Sequence, residues 1–154
     1  MKFGIVSLFL LLLSLWTTAA LAQEAAPRMV PSTKKEAVAV HRIVMQVSTA
    51  DTLEHKGLMN NLKHLEEGWG DSVLIEVVVH GPGLEMVMKG KATQQAAIQN
   101  MIGKGVRFLV CRNTMKQKSV TDDQILPNIS FVDMGLGHIV RRQEQGWTYI
   151  KSGF

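Results

Sequence analysis

The feature that most limits how this chain can fold is the segment Val73–Val79, VLIEVVV, which is apolar at six of its seven positions. A run of this kind is typical of a strand that is buried on both faces, as in a parallel sheet. Parallel neighbours cannot be joined by tight hairpins, because each connection must cross over the sheet, usually as a helix. The chain must therefore supply further strands separated by helices.

Strand-like and helix-like segments do alternate along the chain. The predicted strands are Arg42–Val47, Val73–Val79, Val106–Val110, Ile129–Val132 and Trp147–Lys151. The predicted helices are Thr52–Glu67, Thr93–Gly103, a short helix opened by the Thr121/Gln124 capping box and stopped by Pro127, and Leu136–Gln145. This order predicts an α/β fold, a flavodoxin-like three-layer α/β/α sandwich around a five-stranded, mostly parallel sheet.

The N-terminal region differs in composition from the rest. Residues 1–22 have a positive start at Lys2, an apolar run and the small-x-small pattern Ala20–Ala22, which is the form of a cleaved secretory signal peptide. The alternative, an uncleaved membrane anchor, needs a longer apolar run than this one. We expect a flexible leader at residues 23–39, a folded domain at 40–154, a periplasmic location, and no membrane contact after cleavage.

Charge and residue spacing exclude several partners. The formal net charge is +4, and the basic residues are interspersed with acidic ones, without a basic stripe or interleaved aromatic residues. Nucleic-acid binding therefore has no support. The five histidines and the single cysteine do not have the spacing of a zinc site, so we expect no metal and no cofactor.

Cys111, the only cysteine, directly follows the predicted strand Val106–Val110. It cannot form an internal disulfide, so it is a free thiol, an intermolecular disulfide or a buried apolar residue. Ligands on parallel sheets bind at the carboxyl ends of the strands, where Cys111 lies. The cation of Arg112 and a helix beginning at Asn113 or Thr114 would favour its thiolate. We therefore expect these three residues to form an anion-holding loop.

The turn HGPG follows the second predicted strand and reaches the same edge of the sheet. We expect His80 and Gly81, which open this turn, to line a pocket beside Cys111. The alternative for His80 is a structural role beneath the turn, with a ring nitrogen bonded to the backbone.

Three segments resemble the DsrE/DsrF/TusD-like proteins: IEVVVHGPGL (75–84), GVRFLVCRNTM (105–115) and VDMGLGHIVRRQEQGWTYIKSGF (132–154). The similarity covers roughly His41–Phe154. It implies a compact α/β domain with a five-stranded parallel sheet, in homo-oligomers that are commonly trimers or hexamers. In the sulfur-relay members a cysteine after this strand carries sulfur as a persulfide and passes it to a partner, and Cys111 matches that cysteine.

The resemblance thus predicts an exported sulfur carrier, or a protein that binds a small sulfur species, with a donor or acceptor protein as partner. Sulfur-relay members tend to have an Arg-Gly pair where this chain has Lys118 and Ser119. The alternative function is therefore a non-catalytic, oligomeric binding module of the same fold. A redox sensor that forms an intermolecular disulfide is a third hypothesis.

Overall fold

The computed structural model describes residues 40–153, and a five-stranded sheet forms the centre of this part of the chain. The strand order is β4-β3-β2-β1-β5, and each pair of neighbours is parallel. The strands are β1 His41–Val47, β2 Val73–Val79, β3 Arg107–Cys111, β4 Ser130–Val132 and β5 Thr148–Lys151. The α/β fold predicted from the sequence is confirmed, and the sheet is fully parallel rather than mostly so.

Helices separate the strands along the chain as the alternation predicts. They are α1 Thr52–Trp69, α2 Gln95–Gly103, α3 Arg112–Gln117 and α4 Gly135–Glu144. The turn after β2 is a 3-10 helix, Gly81–Val87. The helix predicted after Thr121 is a single 3-10 turn, Asp122–Gln124, although its capping box is present. Pro127 lacks an amide donor, so the segment could not continue as a helix.

The larger core lies on the face of the sheet that α1, α2 and α3 cover. Its side chains come from alternate positions of β1, β2 and β3 and from the inner sides of these helices. Phe108 of β3, Leu62 of α1 and Ile98 of α2 are among its fully buried members. The apolar sides of α1 and α2 thus pack on this face of the sheet.

The opposite face of the sheet carries a smaller core. Val44, Val78 and Leu109 come from β1, β2 and β3, and Ile139 of α4 packs on them. Within residues 40–153, α4 is the helix that covers this face of the sheet. Helices therefore lie on both sides of the sheet, which makes three layers.

The strand order explains which helix lies on which face. The chain steps from β1 to β4 in one direction across the sheet and then returns past all of them to β5. Because crossovers between parallel strands are right-handed, the reversal of direction moves α4 to the other face. The connections that follow β3 and β4 consequently diverge, and such a divergence is where α/β sheets bind ligands.

Two predictions concern residues outside this range. The signal peptide (1–22) and the leader (23–39) lie outside the described residues, as does Phe154. Among residues 40–153, no helix combines the length and the apolar character that crossing a bilayer requires.

Candidate functional site

Cys111 is the last residue of β3 and the N-cap of α3. Its backbone is extended, with φ −74° and ψ 113°, so the chain turns into the helix immediately after it. The side chain points to the α4 face of the sheet, as Leu109 does two residues earlier. Cys111 is 5% exposed, so its thiol lies beneath the surface at the point where the connections after β3 and β4 diverge.

The sulfur of Cys111 lies against the segment that joins β4 to α4. The backbone N–H of Gly135 donates a hydrogen bond to Sγ over 3.3 Å, and the carbonyl oxygen of Asp133 lies 3.9 Å from Sγ. Gly135 is the first residue of α4, so the sulfur lies at the amino-terminal end of that helix. The positive end of the helix dipole favours a negative charge there.

These contacts decide the acidity of the thiol. Burial raises the pKa of Cys111, but the hydrogen bond from the Gly135 amide, together with the nearby amide and hydroxyl of Thr114 and the nearby Asn113 amide, lowers it by more. The net result is a pKa below the ordinary 9.0 of a cysteine. A thiol in this setting ionises more readily and is a better nucleophile near neutral pH.

A side chain at Gly135 would be crowded. A Cβ atom there would lie 3.2 Å from Cβ of Cys111, 3.3 Å from Cγ1 of Val78 and 3.4 Å from Cβ of His80. The first turn of α4 can therefore approach β2 and β3 closely enough for its amide to reach the sulfur. The same distances show that Cys111 and His80 flank one small space.

The HGPG turn is tied to the cysteine loop by one hydrogen bond. The N–H of Gly81 donates to Oγ1 of Thr114 over 3.1 Å, and Thr114 is buried. Gly81 has φ +55°, which glycine adopts without strain. A Cβ on Gly83 would come within 2.6 Å of the Val47 carbonyl oxygen, so the turn packs directly on the end of β1.

His80 lies beside Cys111, because the register of β2 and β3 pairs Val79 with Val110. The amide group of Gln46 donates to Nε2 of His80 over 2.7 Å, and the hydroxyl of Tyr149 donates to Oε1 of the same Gln46. Burial lowers the pKa of His80, so its ring is neutral at pH 7. Because Nε2 accepts from Gln46, the proton of the neutral ring lies on Nδ1, and His80 adds no positive charge near the sulfur.

A family model and two solved structures match a chain with this fold and site. The model of the DsrE/DsrF-like family matches residues 32–152. The chain belongs to the DsrE/DsrF-like family. A protein of unknown function from Methanobacterium thermoautotrophicum, MTH1491, is 32% identical, with a TM-score of 0.69 over 72% of this chain and 98% of that one.

A second solved structure shows the fold alone. It is a conserved protein of unknown function from Bacteroides thetaiotaomicron, BT1422, with 16% identity and a TM-score of 0.57. The match covers 71% of this chain and 92% of that one. A comparison with curated proteins found no match.

The side chain of Arg112 in this DsrE/DsrF-like protein binds groups other than the sulfur of Cys111. Its guanidinium forms two hydrogen bonds with the carboxylate of Asp122, the second over 3.0 Å, and lies 3.8 Å from the ring centroid of Phe131. The exposed Asn113 donates its backbone N–H to Asp133 over 3.2 Å. The anion-holding loop predicted from Arg112, Asn113 and Thr114 thus presents amides and a hydroxyl to the sulfur, not a cation.

The sequence analysis did not identify Gly135, Gln46 or Tyr149 as site residues. Gly135 lies three residues after the end of the fourth predicted strand, at the sheet edge where ligands bind, and that position was a signal for it. Gln46, a polar residue inside the apolar segment Arg42–Val47, was a signal for a buried hydrogen-bond partner. No feature of the neighbouring sequence identified Tyr149 as a site residue. Among residues 40–153, no group of three or more His, Cys, Asp or Glu side chains could hold a metal ion.

Proposed function

We propose that this DsrE/DsrF-like protein is a sulfur carrier, in which Cys111 accepts one sulfur atom as a persulfide and passes it to an acceptor. The observation that carries the proposal is the hydrogen bond from Gly135 N–H to the Cys111 sulfur, in a setting that lowers the pKa of the thiol. The same amide suits a persulfide anion, because hydrogen bonds to charged acceptors are stronger than those to neutral ones.

The reaction needs a donor with a sulfane sulfur, such as a persulfide R–S–SH. The Cys111 thiolate attacks the outer sulfur, the S–S bond of the donor breaks, and RS⁻ leaves with the electron pair. Cys111 then holds the new S–S bond. An acceptor thiolate reverses the process by attacking the outer sulfur, so that the Cys111 thiolate leaves. Both steps are exchanges between a thiolate and an S–S bond, and neither needs an added oxidant.

Three side chains have roles beside the nucleophile in this proposal. Thr114 holds the thiolate through its amide and hydroxyl and fixes the HGPG turn through Gly81. The neutral ring of His80, whose orientation Gln46 fixes beside the sulfur, can donate a hydrogen bond from Nδ1–H to an incoming sulfur species. His80 and Gly81 line the pocket, while Arg112 acts through the fold of its loop, because its guanidinium is paired with Asp122.

The intact mass of the purified protein tests this function. We expect incubation with a persulfide, a polysulfide or thiosulfate to add one sulfur atom, and a reductant to remove it. Sulfide without air is the matched negative control, because it has no sulfane sulfur to transfer. The Cys111→Ser variant should gain no mass with any donor. If the wild-type protein gains no sulfur from any of the three donors, the carrier function is wrong.

A second candidate function is a non-catalytic binding module. The observation that favours it is the 5% exposure of Cys111, since a carrier must present its outer sulfur to a partner. This function predicts slow alkylation of the thiol and an unchanged assembly in the Cys111→Ser variant. A shift in mobility on a non-reducing gel would instead indicate an intermolecular disulfide.

We further propose a homo-oligomer of three or six subunits in the periplasm, with the signal peptide removed. The family supports the assembly, and the pattern of residues 1–22 supports export. Analytical ultracentrifugation measures the assembly. The N-terminal sequence of protein recovered from a periplasmic extract measures both cleavage and location. A sulfur donor or acceptor protein is the expected partner.

A further inference from the structure

One fully charged side chain is buried in the middle of the sheet, away from Cys111. Glu76 of β2 is 1% exposed and lies on the α4 face. A buried carboxylate is costly unless other groups pair with it. Three side chains do so: the Glu76 cluster consists of Glu76, Arg107, His138 and Arg142.

Two of these three partners belong to α4. Nε2 of His138 lies 2.6 Å from Oε2 of Glu76. Nε and Nη2 of Arg142 donate to Oε2 and Oε1 over 2.7 Å and 2.6 Å, so the arginine grips both carboxylate oxygens. The third partner, Arg107, belongs to β3 and donates over 2.9 Å from a half-exposed position. Glu76 thus joins the centre of the sheet to the helix.

The helix has few other buried contacts. Its buried residues are Gly135, which has no side chain, and Ile139. Leu136 and Val140 are more than half exposed. The position of α4 along and across the sheet therefore depends on one isoleucine and on the ion pairs of Glu76.

His138 and Arg142 lie one and two turns from Gly135 on the same helix. A short helix moves as a rigid unit, so a shift at these residues also moves the first turn. The amide of Gly135 reaches the sulfur over 3.3 Å, and a shift of a fraction of an ångström would weaken that bond. The ion pairs and the sulfur are therefore linked mechanically.

We propose that Glu76 is a positioning residue, which holds α4 through His138 and Arg142 and so keeps the Gly135 amide against the sulfur of Cys111. The role deepens the proposed function, since it concerns the same thiol, but it needs only that the thiol is reactive. Glu76 itself touches neither the sulfur nor a substrate.

The pH profile of alkylation of Cys111 by iodoacetamide tests the proposal in the full-length protein, with Glu76→Gln as the first variant. Removing a negative charge would by itself lower the pKa of a nearby thiol. Loss of the Gly135 hydrogen bond raises it instead. We expect the profile to shift to higher pH and the rate at pH 7 to fall about tenfold, as for the loss of one hydrogen bond to a charged group.

Arg107→Gln is the matched control, because it removes a partner of Glu76 without touching α4. We expect its alkylation profile to stay within about twofold of the wild type. His138→Gln and Arg142→Gln each remove one link between α4 and Glu76, and we expect both to shift the profile to higher pH. If Glu76→Gln does not fold, these two variants still test the positioning role. Near-ultraviolet circular dichroism measures whether each variant is folded.

Two results would overturn the proposal. One is an alkylation profile like that of the wild type in every folded variant from which a link between Glu76 and α4 has been removed. The other is an equal shift in Arg107→Gln, which would mean that charge rather than helix position sets the acidity. The sulfur-loading measurement is separate from this one. A shifted profile in a protein that never gains sulfur would keep the positioning role and reject the carrier.

Discussion

At the scale of single residues, the site depends on a backbone amide more than on a charged side chain. The sulfur of Cys111 receives the N–H of Gly135, while the guanidinium beside it in sequence, that of Arg112, is paired with Asp122. A backbone amide does not itself titrate and needs no counter-charge. The thiol can therefore be acidic although its surroundings are nearly closed to water.

Gly135→Ala should impair both stability and reactivity. The added Cβ would lie 3.2–3.4 Å from atoms of Cys111, Val78 and His80, so either these side chains or the first turn of α4 must shift by a few tenths of an ångström. We expect a loss of about 1–3 kcal/mol in the free energy of unfolding, measured with urea, and slower alkylation of the thiol. Gly68→Ala is the control, since nothing lies within 4 Å of its Cβ, and it should gain about 0.5–1 kcal/mol. A Gly135→Ala protein as stable and as reactive as the wild type would contradict this account of the site.

At the scale of elements, α4 differs from the other helices. The helices α1 and α2 share a large core with three strands, whereas α4 packs on Val44, Val78 and Leu109 mainly through Ile139. Its outer side exposes apolar residues. The element that completes the site is thus attached by a small number of contacts.

Ile139→Ala should reduce the acidity of the thiol from a distance. Ile139 is 4% exposed and belongs to the smaller core, so truncation should lower the free energy of unfolding by about 2–4 kcal/mol. We also expect the pH profile of Cys111 alkylation to shift to higher pH, because a looser α4 carries the Gly135 amide away from the sulfur. Val140→Ala, one residue along and 51% exposed, should change both quantities little. The same pH profile of alkylation in both variants would show that the sulfur does not depend on this helix.

All five strands and the helices α1, α2 and α4 follow from local sequence, whereas between β3 and β4 the helix is α3 and the segment predicted as a helix after Thr121 is a single 3-10 turn. Alternation of apolar segments predicted the parallel sheet, and the carboxyl ends of its strands predicted that Cys111, Thr114, His80 and Gly81 would come together. Sequence alone could not show that Asp122 pairs with Arg112, because the charge pairing depends on how a loop closes. Nor could it show that Gly135 reaches the sulfur, since that contact exists only once α4 has crossed the opposite face.

At the scale of the whole molecule, a charge in the sheet links stability to pH. Burial by itself would raise the pKa of Glu76, but hydrogen bonds and charges from Arg142 and His138 outweigh it, so the pKa lies below the usual 4.5. A group whose pKa is lowered by folding stabilises the protein fully above its unfolded value. That contribution is lost as the pH falls through the folded value.

The stability difference between the wild type and Glu76→Gln should therefore depend on pH. We expect the wild type to be more stable by about 3–5 kcal/mol at pH 7, as for a broken buried ion pair, and the difference to shrink as the pH falls below about 4.5. Urea unfolding over this range measures it. Other acidic residues, such as Asp122, are common to both proteins and cancel in the comparison. A difference that stays constant down to pH 3 would show that the charge of Glu76 is not what stabilises the fold.

The attachment of α4 has a consequence for the population of active molecules. Sub-global opening, in which one weakly held unit detaches while the main core persists, has a smaller free energy than complete unfolding. If α4 detaches in this way, the rest of the sheet stays folded, but the Cys111 sulfur loses its donor from Gly135. The open form would keep most of the native core but present a thiol of more ordinary acidity. The equilibrium constant for docking one ten-residue helix would then set what fraction of the protein holds the acidic thiol at any moment.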